Sequence, residues 1–202
     1  MDYVTADLHF GHSRIIDFER HQFKNIKDHD EAIIRALNSK LRIGDTLYIL
    51  GDLGFRENGS LEPIRECVRR IECSKKILIM GNHDHFSIEE AKSMGFSEVY
   101  KHPIYYESKD AQGMILLSHR PLREAYENPY VINVHGHVHN GTIDLPNFFN
   151  VNIHMTGYMI QPMRMFENIA IKMCKSRKEK YPNEWYAAFE KKKEEKVDKN
   201  PQ

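Results

Sequence analysis

The chain has 202 residues, with 29 Lys+Arg against 29 Asp+Glu and 12 His. That length fits one domain with a sizeable core. The balanced charge excludes a field large enough to drive the whole surface onto nucleic acid or anionic lipid, and leaves open a local basic groove.

In chain order, the start MDYVTADLHF carries an acid at position 2 and reads as neither a signal nor a transit peptide. Within it DYVTAD (2–7) is a short buried strand that stops at a carboxylate. DHDEAIIRALNSKL (28–41) is a helix with acids at its start and Ala32, Ile33, Ala36 and Leu37 on one face. TLYILGD (46–52) is a second strand ending at a carboxylate, and SLEPIRECVRRIEC (60–73) is a helix opened by Ser60 and Pro63. KKILIMGNHD (75–84) is a strand that stops at Asn-His-Asp. Ser87 and Glu90 then have the spacing of a capping box before EEAKSM. MILLSH (114–119) and VINVHGH (131–137) are strands stopping at histidines, and FFNVNIHMTGY (148–158) is expected to return a strand to the core. PMRMFENIAIKMCK (162–175) spaces Met163, Phe166, Ile169, Ala170 and Met173 as one helix face.

The reading divides the chain into a domain over 1–174 and a charged tail over 175–202. In the tail NEWYAAFEKKKEEK has a helical face through Trp185, Ala188 and Phe189, and the last residues are expected to be disordered. No apolar run approaches the roughly 18 residues of a membrane helix. Cys67, Cys73 and Cys174 are odd in number and lack a CxxC spacing, so they read as small core residues in a reducing compartment. The expectation is a cytoplasmic protein. Alternation of strands and helices argues for a layered α/β or α+β domain.

Ligand-type side chains fall at the C-terminal ends of five predicted strands, where open α/β sheets form binding crevices. Taken singly, Asp7-Leu8-His9, Gly51-Asp52, His119 and Gly136-His137-Val138-His139 are each explained at least as well by structure, and Gly81-Asn82-His83-Asp84 is only somewhat more specific. The crowding of His135, His137 and His139 in five residues is costly for protons, and sensible if a cation sits between the rings.

In this order the motifs D-x-H, G-D, G-N-H-D, a strand-end His and G-H-x-H resemble the calcineurin-like metallophosphoesterase superfamily over roughly residues 2 to 160, in particular its short bacterial and phage members. The resemblance implies two packed β-sheets flanked by helices, and two adjacent metal ions. Asp7, His9 and His139 would hold the first ion, Asn82, His119 and His137 the second, and Asp52 would bridge both. His135 falls outside the set, as a residue that orients a ligand or packs. A mixed imidazole, carboxylate and amide site suits manganese first, with iron, zinc, nickel or cobalt as alternatives. Such a pair would lower the pKa of a bridging water and clamp the phosphoryl oxygens.

His83 matches the family position that contacts phosphate and protonates the leaving group. The chain departs from the family's G-D-x-x-D-R-G pattern: it reads GDLGFRENG, with Phe55 where the supporting Asp would stand. Arg56 is left with an open role, and Asp84 either orients a ligand or caps its loop. His12 is read as a phosphate contact, against a surface histidine before a helix. His154 is read as a sheet-face histidine, against one that closes over the site.

The function expected is phosphodiester hydrolysis, catalysed through Asp52 and His83, with His12, Asn82 and His83 on the substrate and small nucleotide-like esters favoured. The alternatives are a phosphomonoesterase on nucleotides or phosphoproteins, a nuclease, and a non-catalytic scaffold of the same fold. Lys75, Lys76, Arg69 and Arg70 are candidate nucleic-acid contacts, equally well read as a solvated surface.

Overall fold

Every strand read from the sequence is short and apolar, and it ends where a polar residue interrupts the run. In the computed structural model, which describes residues 1–108, 114–128 and 130–180, the five that stop at ligand-type residues all form. Three of them, β1 (Asp2–Thr5), β2 (Thr46–Leu50) and β3 (Lys75–Ile79), lie parallel beside β4 (Glu98–Tyr100). A second sheet runs β5 (Ile104–Tyr106), β6 (Met114–Leu117), β7 (Val131–His135), β8 (Phe148–Asn150), with β6, β7 and β8 parallel and β5 antiparallel. The short β9 (Gln161–Pro162) pairs antiparallel with β1 at the edge of the first sheet.

Among the described residues six α-helices connect or cover these strands. Between β1 and β2 come a single turn, α1 (Ile15–Phe18), and α2 (Ile26–Lys40). The predicted helix at 28–41 begins earlier than its acids suggested, because Asn25 supplies the N-cap: its side chain accepts from the Asp28 N–H. Pro63 stands in the first turn of α3 (Glu62–Arg69), and residues 60–61 and 70–73 of the predicted helix fall outside it. At α4 (Ile88–Ser93) the capping box is present in both directions, Ser87 Oγ accepting from Glu90 N at 3.1 Å and Glu90 Oε2 from Ser87 N at 2.7 Å. α5 (Arg123–Glu127) joins β6 to β7, and α6 (Met163–Lys180) follows β9. The predicted helix through Trp185, Ala188 and Phe189 lies outside the described residues.

Period-two alternation decides which side chains meet. From the first sheet Leu47, Ile49 and Leu78 face Ile33 and Leu37 of α2 and Ile64 and Val68 of α3. From the other face Val4, Leu50, Ile77 and Ile79 meet Ile115, Leu117, Ile132 and Val134 of the second sheet, with Met163, Phe166 and Ala170 of α6 closing the layer. Each such burial contributes roughly 1.5–3 kcal/mol. Cys67 and Cys73 are buried free thiols, as expected, and burial pushes the Cys67 thiol up to about 12, leaving it unreactive.

The expected return strand does more than re-enter the core. After β8 it crosses to the first sheet, where Ala6 N donates to Val151 O and Ile153 N to Ala6 O, both at 3.0 Å. That crossing brings the C-terminal ends of β1 and β2 beside those of β6 and β7. His154 sits in the turn that follows, its Nδ1 3.2 Å from Tyr158 Oη, so the sheet-face reading is wrong: the strand ends before reaching it.

Candidate metal centre

Past the last residue of each strand the backbone stays paired but turns sharply. Asp7 N donates to Gly51 O, His9 N to Asp52 O, and Gly136 N to His119 O, at 2.9–3.0 Å. Five of the residues predicted as ligands hold the left-handed conformation: Asp7 (φ 57°), His9 (51°), Asp52 (50°), His137 (69°) and His139 (39°). Asp and His tolerate this region better than most residues, yet each costs on the order of 1 kcal/mol, and such strain gathers where side chains must be aimed. Two glycines let the loops interlock. A Cβ on Gly81 would stand 2.2 Å from Asp52 Oδ1, and one on Gly136 would stand 2.3 Å from Asp7 Oδ2.

Two groups of potential ligands result, with Asp52 in both. Asp7, His9, Asp52 and His139 offer atoms all within 4.8 Å of one another, and so do Asp52, His119 and His137. In the first group His9 Nε2 and Asp52 Oδ2 are 3.9 Å apart, both buried and both without a hydrogen-bond partner. Burial, and then the charge of Asp52, holds the Asp7 carboxyl well above its usual range; burial, and then the Arg20 guanidinium, holds the His9 imidazole well below its own. In the second group His119 donates from Nδ1 to Leu50 O at 2.9 Å, which leaves a lone pair on Nε2. That nitrogen lies 3.0 Å from Asn82 Oδ1, 3.2 Å from His137 Nδ1 and 3.4 Å from Asp52 Oδ1. Burial lowers the His119 pKa and takes His137 to about 4, so both rings are neutral at pH 7. Lone pairs crowded around at most one proton repel each other unless a cation lies among them, and the N/O donor set is that of a divalent metal.

The family model for calcineurin-like phosphoesterases matches residues 3–191. The chain belongs to that family. It is 28% identical over 153 residues to an uncharacterised protein of Methanocaldococcus jannaschii, covering 73% of this chain and 74% of that one. It is also 28% identical over 180 residues to the Gene 66 protein of Mycobacterium phage L5, covering 76% and 84% respectively. Among solved structures, a protein of unknown function from Aquifex aeolicus superposes with a TM-score of 0.66 at 28% identity, over 84% of this chain and 98% of that one. Members of the family typically bind divalent metals and act on phosphate esters. Among the described residues no helix is long and apolar enough to cross a membrane.

The remaining predicted residues of this phosphoesterase surround the two groups. His83 donates its backbone N–H to Asp52 Oδ1 at 2.9 Å, and its ring lies 5.6 Å from His9 and 5.9 Å from His12. His12 is buried, so it is no surface histidine: its Nδ1 is 3.3 Å from His9 Nδ1 and its ring stacks on Phe55 at 4.8 Å. Phe55, where the family resemblance implied a carboxylate, therefore makes an aromatic wall. Asp84 caps the loop, its carboxylate accepting from Leu53 N and Gly81 N at 2.8 Å; burial raises its pKa to about 7. Arg56 turns away to Glu90 at 2.6 Å. His135 packs on Phe148, with its Nδ1 2.9 Å from Gly136 O. Arg69, Arg70 and Lys75 pair with Glu62, Glu31 and Glu98, and Lys76 Nζ donates to Cys73 O.

Several residues at the centre have no signature in the sequence. Glu19 accepts from His139 Nδ1. Arg20, fully buried, donates to the carbonyls of Asp7 and Leu8 and to His29 Nε2; His29 Nδ1 donates in turn to Asp30 Oδ1 at 2.8 Å, and Asp30 Oδ2 accepts from Gly11 N at 3.1 Å. Exposed Arg120 reaches Asn82 Oδ1 at 3.4 Å.

Proposed function

We propose that this phosphoesterase hydrolyses phosphodiesters of small, nucleotide-like substrates with two divalent ions, manganese first among the metals. In this reading Asp7, His9 and His139 hold one ion, Asn82, His119 and His137 the other, and Asp52 both. The carrying observation is the set of buried donor atoms without protons to share, centred on Asp52. When bound, two such ions supply Lewis-acid activation of water and charge neutralisation on phosphate.

The chain's own residues do the rest. Asp52 is fixed by the His83 N–H, so its second oxygen is aimed and does not wander. His83 stands beside the phosphate position and holds the proton for the leaving oxygen, while His12 contacts a phosphoryl oxygen with its ring fixed on Phe55. The diester preference has an electrostatic ground. A monoester dianion asks for one more positive charge than a diester, and Arg56, which follows Phe55, is committed to Glu90. Arg120 is the feature that favours the competing reading, a monoesterase, since an exposed guanidinium beside Asn82 suits a dianion.

The test compares turnover of bis-p-nitrophenyl phosphate and p-nitrophenyl phosphate with added Mn²⁺. Faster diester turnover is expected, and faster monoester turnover would overturn the preference. Asp52→Asn should lower kcat about 100-fold or more. Unaltered hydrolysis in that variant would remove the shared carboxylate from the mechanism.

A further inference from the structure

The three residues proposed for the first ion come from two loops far apart in the sequence, and one short segment touches both loops. That segment is Glu19-Arg20, immediately after α1. Glu19 accepts the Nδ1 hydrogen of His139, 120 residues away. Arg20 donates to the carbonyl oxygens of Asp7 and Leu8, the peptide units that carry the chain from Asp7 to His9. Its guanidinium is braced behind by His29 and Asp30, and Asp30 returns to Gly11 at the far end of the same loop.

We propose that Glu19 and Arg20 are the positioning residues of the first metal site, fixing His139 from one side and the Asp7–His9 turn from the other; the proposal rests on the two-ion reading above. The chemistry of each contact is specific. A carboxylate on Nδ1 selects the tautomer whose Nε2 lone pair is free, holds the ring's direction and raises its basicity toward a metal. A guanidinium spanning two successive carbonyls fixes peptide planes that Asp7 (φ 57°) and His9 (φ 51°) would otherwise relax. Among the described residues, no hydrogen bond or ion pair of Glu19 or Arg20 reaches Asn82, His119 or His137. The two sites should therefore respond differently.

The experiment titrates Mn²⁺ into the metal-stripped full chain, following heat by calorimetry and coupling of the two ions by electron paramagnetic resonance. Wild type should take up two ions and give the spectrum of a coupled pair. Glu19→Ala should weaken one ion about 10- to 100-fold, leaving the spectrum of an isolated ion at moderate Mn²⁺ and thus reproducing His139→Ala. Glu19→Gln, which still accepts from Nδ1 but lacks the charge, should fall between Glu19→Ala and wild type. Arg20→Lys, which keeps the charge but not the fork, should weaken the same ion. If Arg20→Lys does not fold, the Glu19 variants decide, because that side chain lies at the rim and melting in chelator should match wild type. Equal weakening of both ions, or unaltered affinity in Glu19→Ala, would overturn the proposal while the two-ion reading stood. Fewer than two ions in wild type would overturn the two-ion reading itself.

Discussion

Arg120 follows His119 directly, and its guanidinium stands at the rim with Nη2 3.4 Å from Asn82 Oδ1. An exposed side chain there has little to hold it except the phosphate it would meet. We expect Arg120→Ala to raise KM for bis-p-nitrophenyl phosphate about tenfold, or ~1.4 kcal/mol, and to affect kcat less. Steady-state kinetics on the metal-loaded protein would show it, and an unchanged KM would place Arg120 outside the substrate contact. At this scale the proposed ligands were readable because Asp, His and Asn standing at strand ends are conspicuous. Arg120 was hidden because a surface arginine after a strand looks like any other. Glu19 and Arg20 were hidden for a different reason: nothing local distinguishes a carboxylate or guanidinium whose partner arrives from elsewhere in the chain.

Single elements divide along the same line. The cap of α4 depends on two side chains three residues apart, so Ser87 and Glu90 announced it from spacing alone, and both reciprocal bonds are present. Ser87→Ala should cost about 1 kcal/mol of stability, measured as a lower urea midpoint with Mn²⁺ affinity retained. An unmoved midpoint would mean that packing of Ala91 and Met94, both buried, holds the helix without its cap. The start of α2 was misplaced because Asn25 caps it ahead of the acids. The single turn of α1 was not foreseen at all, since four residues carry too little propensity to nucleate a helix without tertiary support. That turn nevertheless sets Glu19 and Arg20 in place, which makes the least legible helix the one nearest to function. His154 failed similarly: β8 ends at Asn150 and the last bridge is at Asn152, and a turn follows, closed by Tyr158 N donating to Ile153 O at 2.8 Å.

For the whole molecule, the proposed ions would join two sheets that also meet at this end through the Ala6–Asn152 bridge, the His137 N–H on Asp7, the His119 bond to Leu50 O and the apolar layer between them. Ligands bound only by the folded state stabilise it, by about 2.7 kcal/mol at a hundredfold excess over Kd. The melting temperature should therefore rise with Mn²⁺ by on the order of 5 °C, and chelator should reverse the gain. Scanning calorimetry across a Mn²⁺ series would test this, and a melting temperature indifferent to metal would count against ions at the junction. The same arrangement explains the tolerance of strain: five left-handed non-glycine residues at the centre are held by loops paired in register and anchored to buried strands.

The sequence by itself determined five of the strands and the polar residues that follow their ends, because these depend on short apolar runs and on the polarity of single side chains. It also determined the family, through five short motifs in a fixed order. Only the tertiary structure decided that the return strand crosses between sheets, that His12 is buried against Phe55, that Asp84 caps a loop and that Arg56 turns aside. It alone joined Glu19 to His139 and Arg20 to the Asp7 loop. The physical reason is one of range: periodicity and capping act over a few residues, whereas hydrogen bonds that aim a ligand are made by whatever the folded chain brings within about 3 Å.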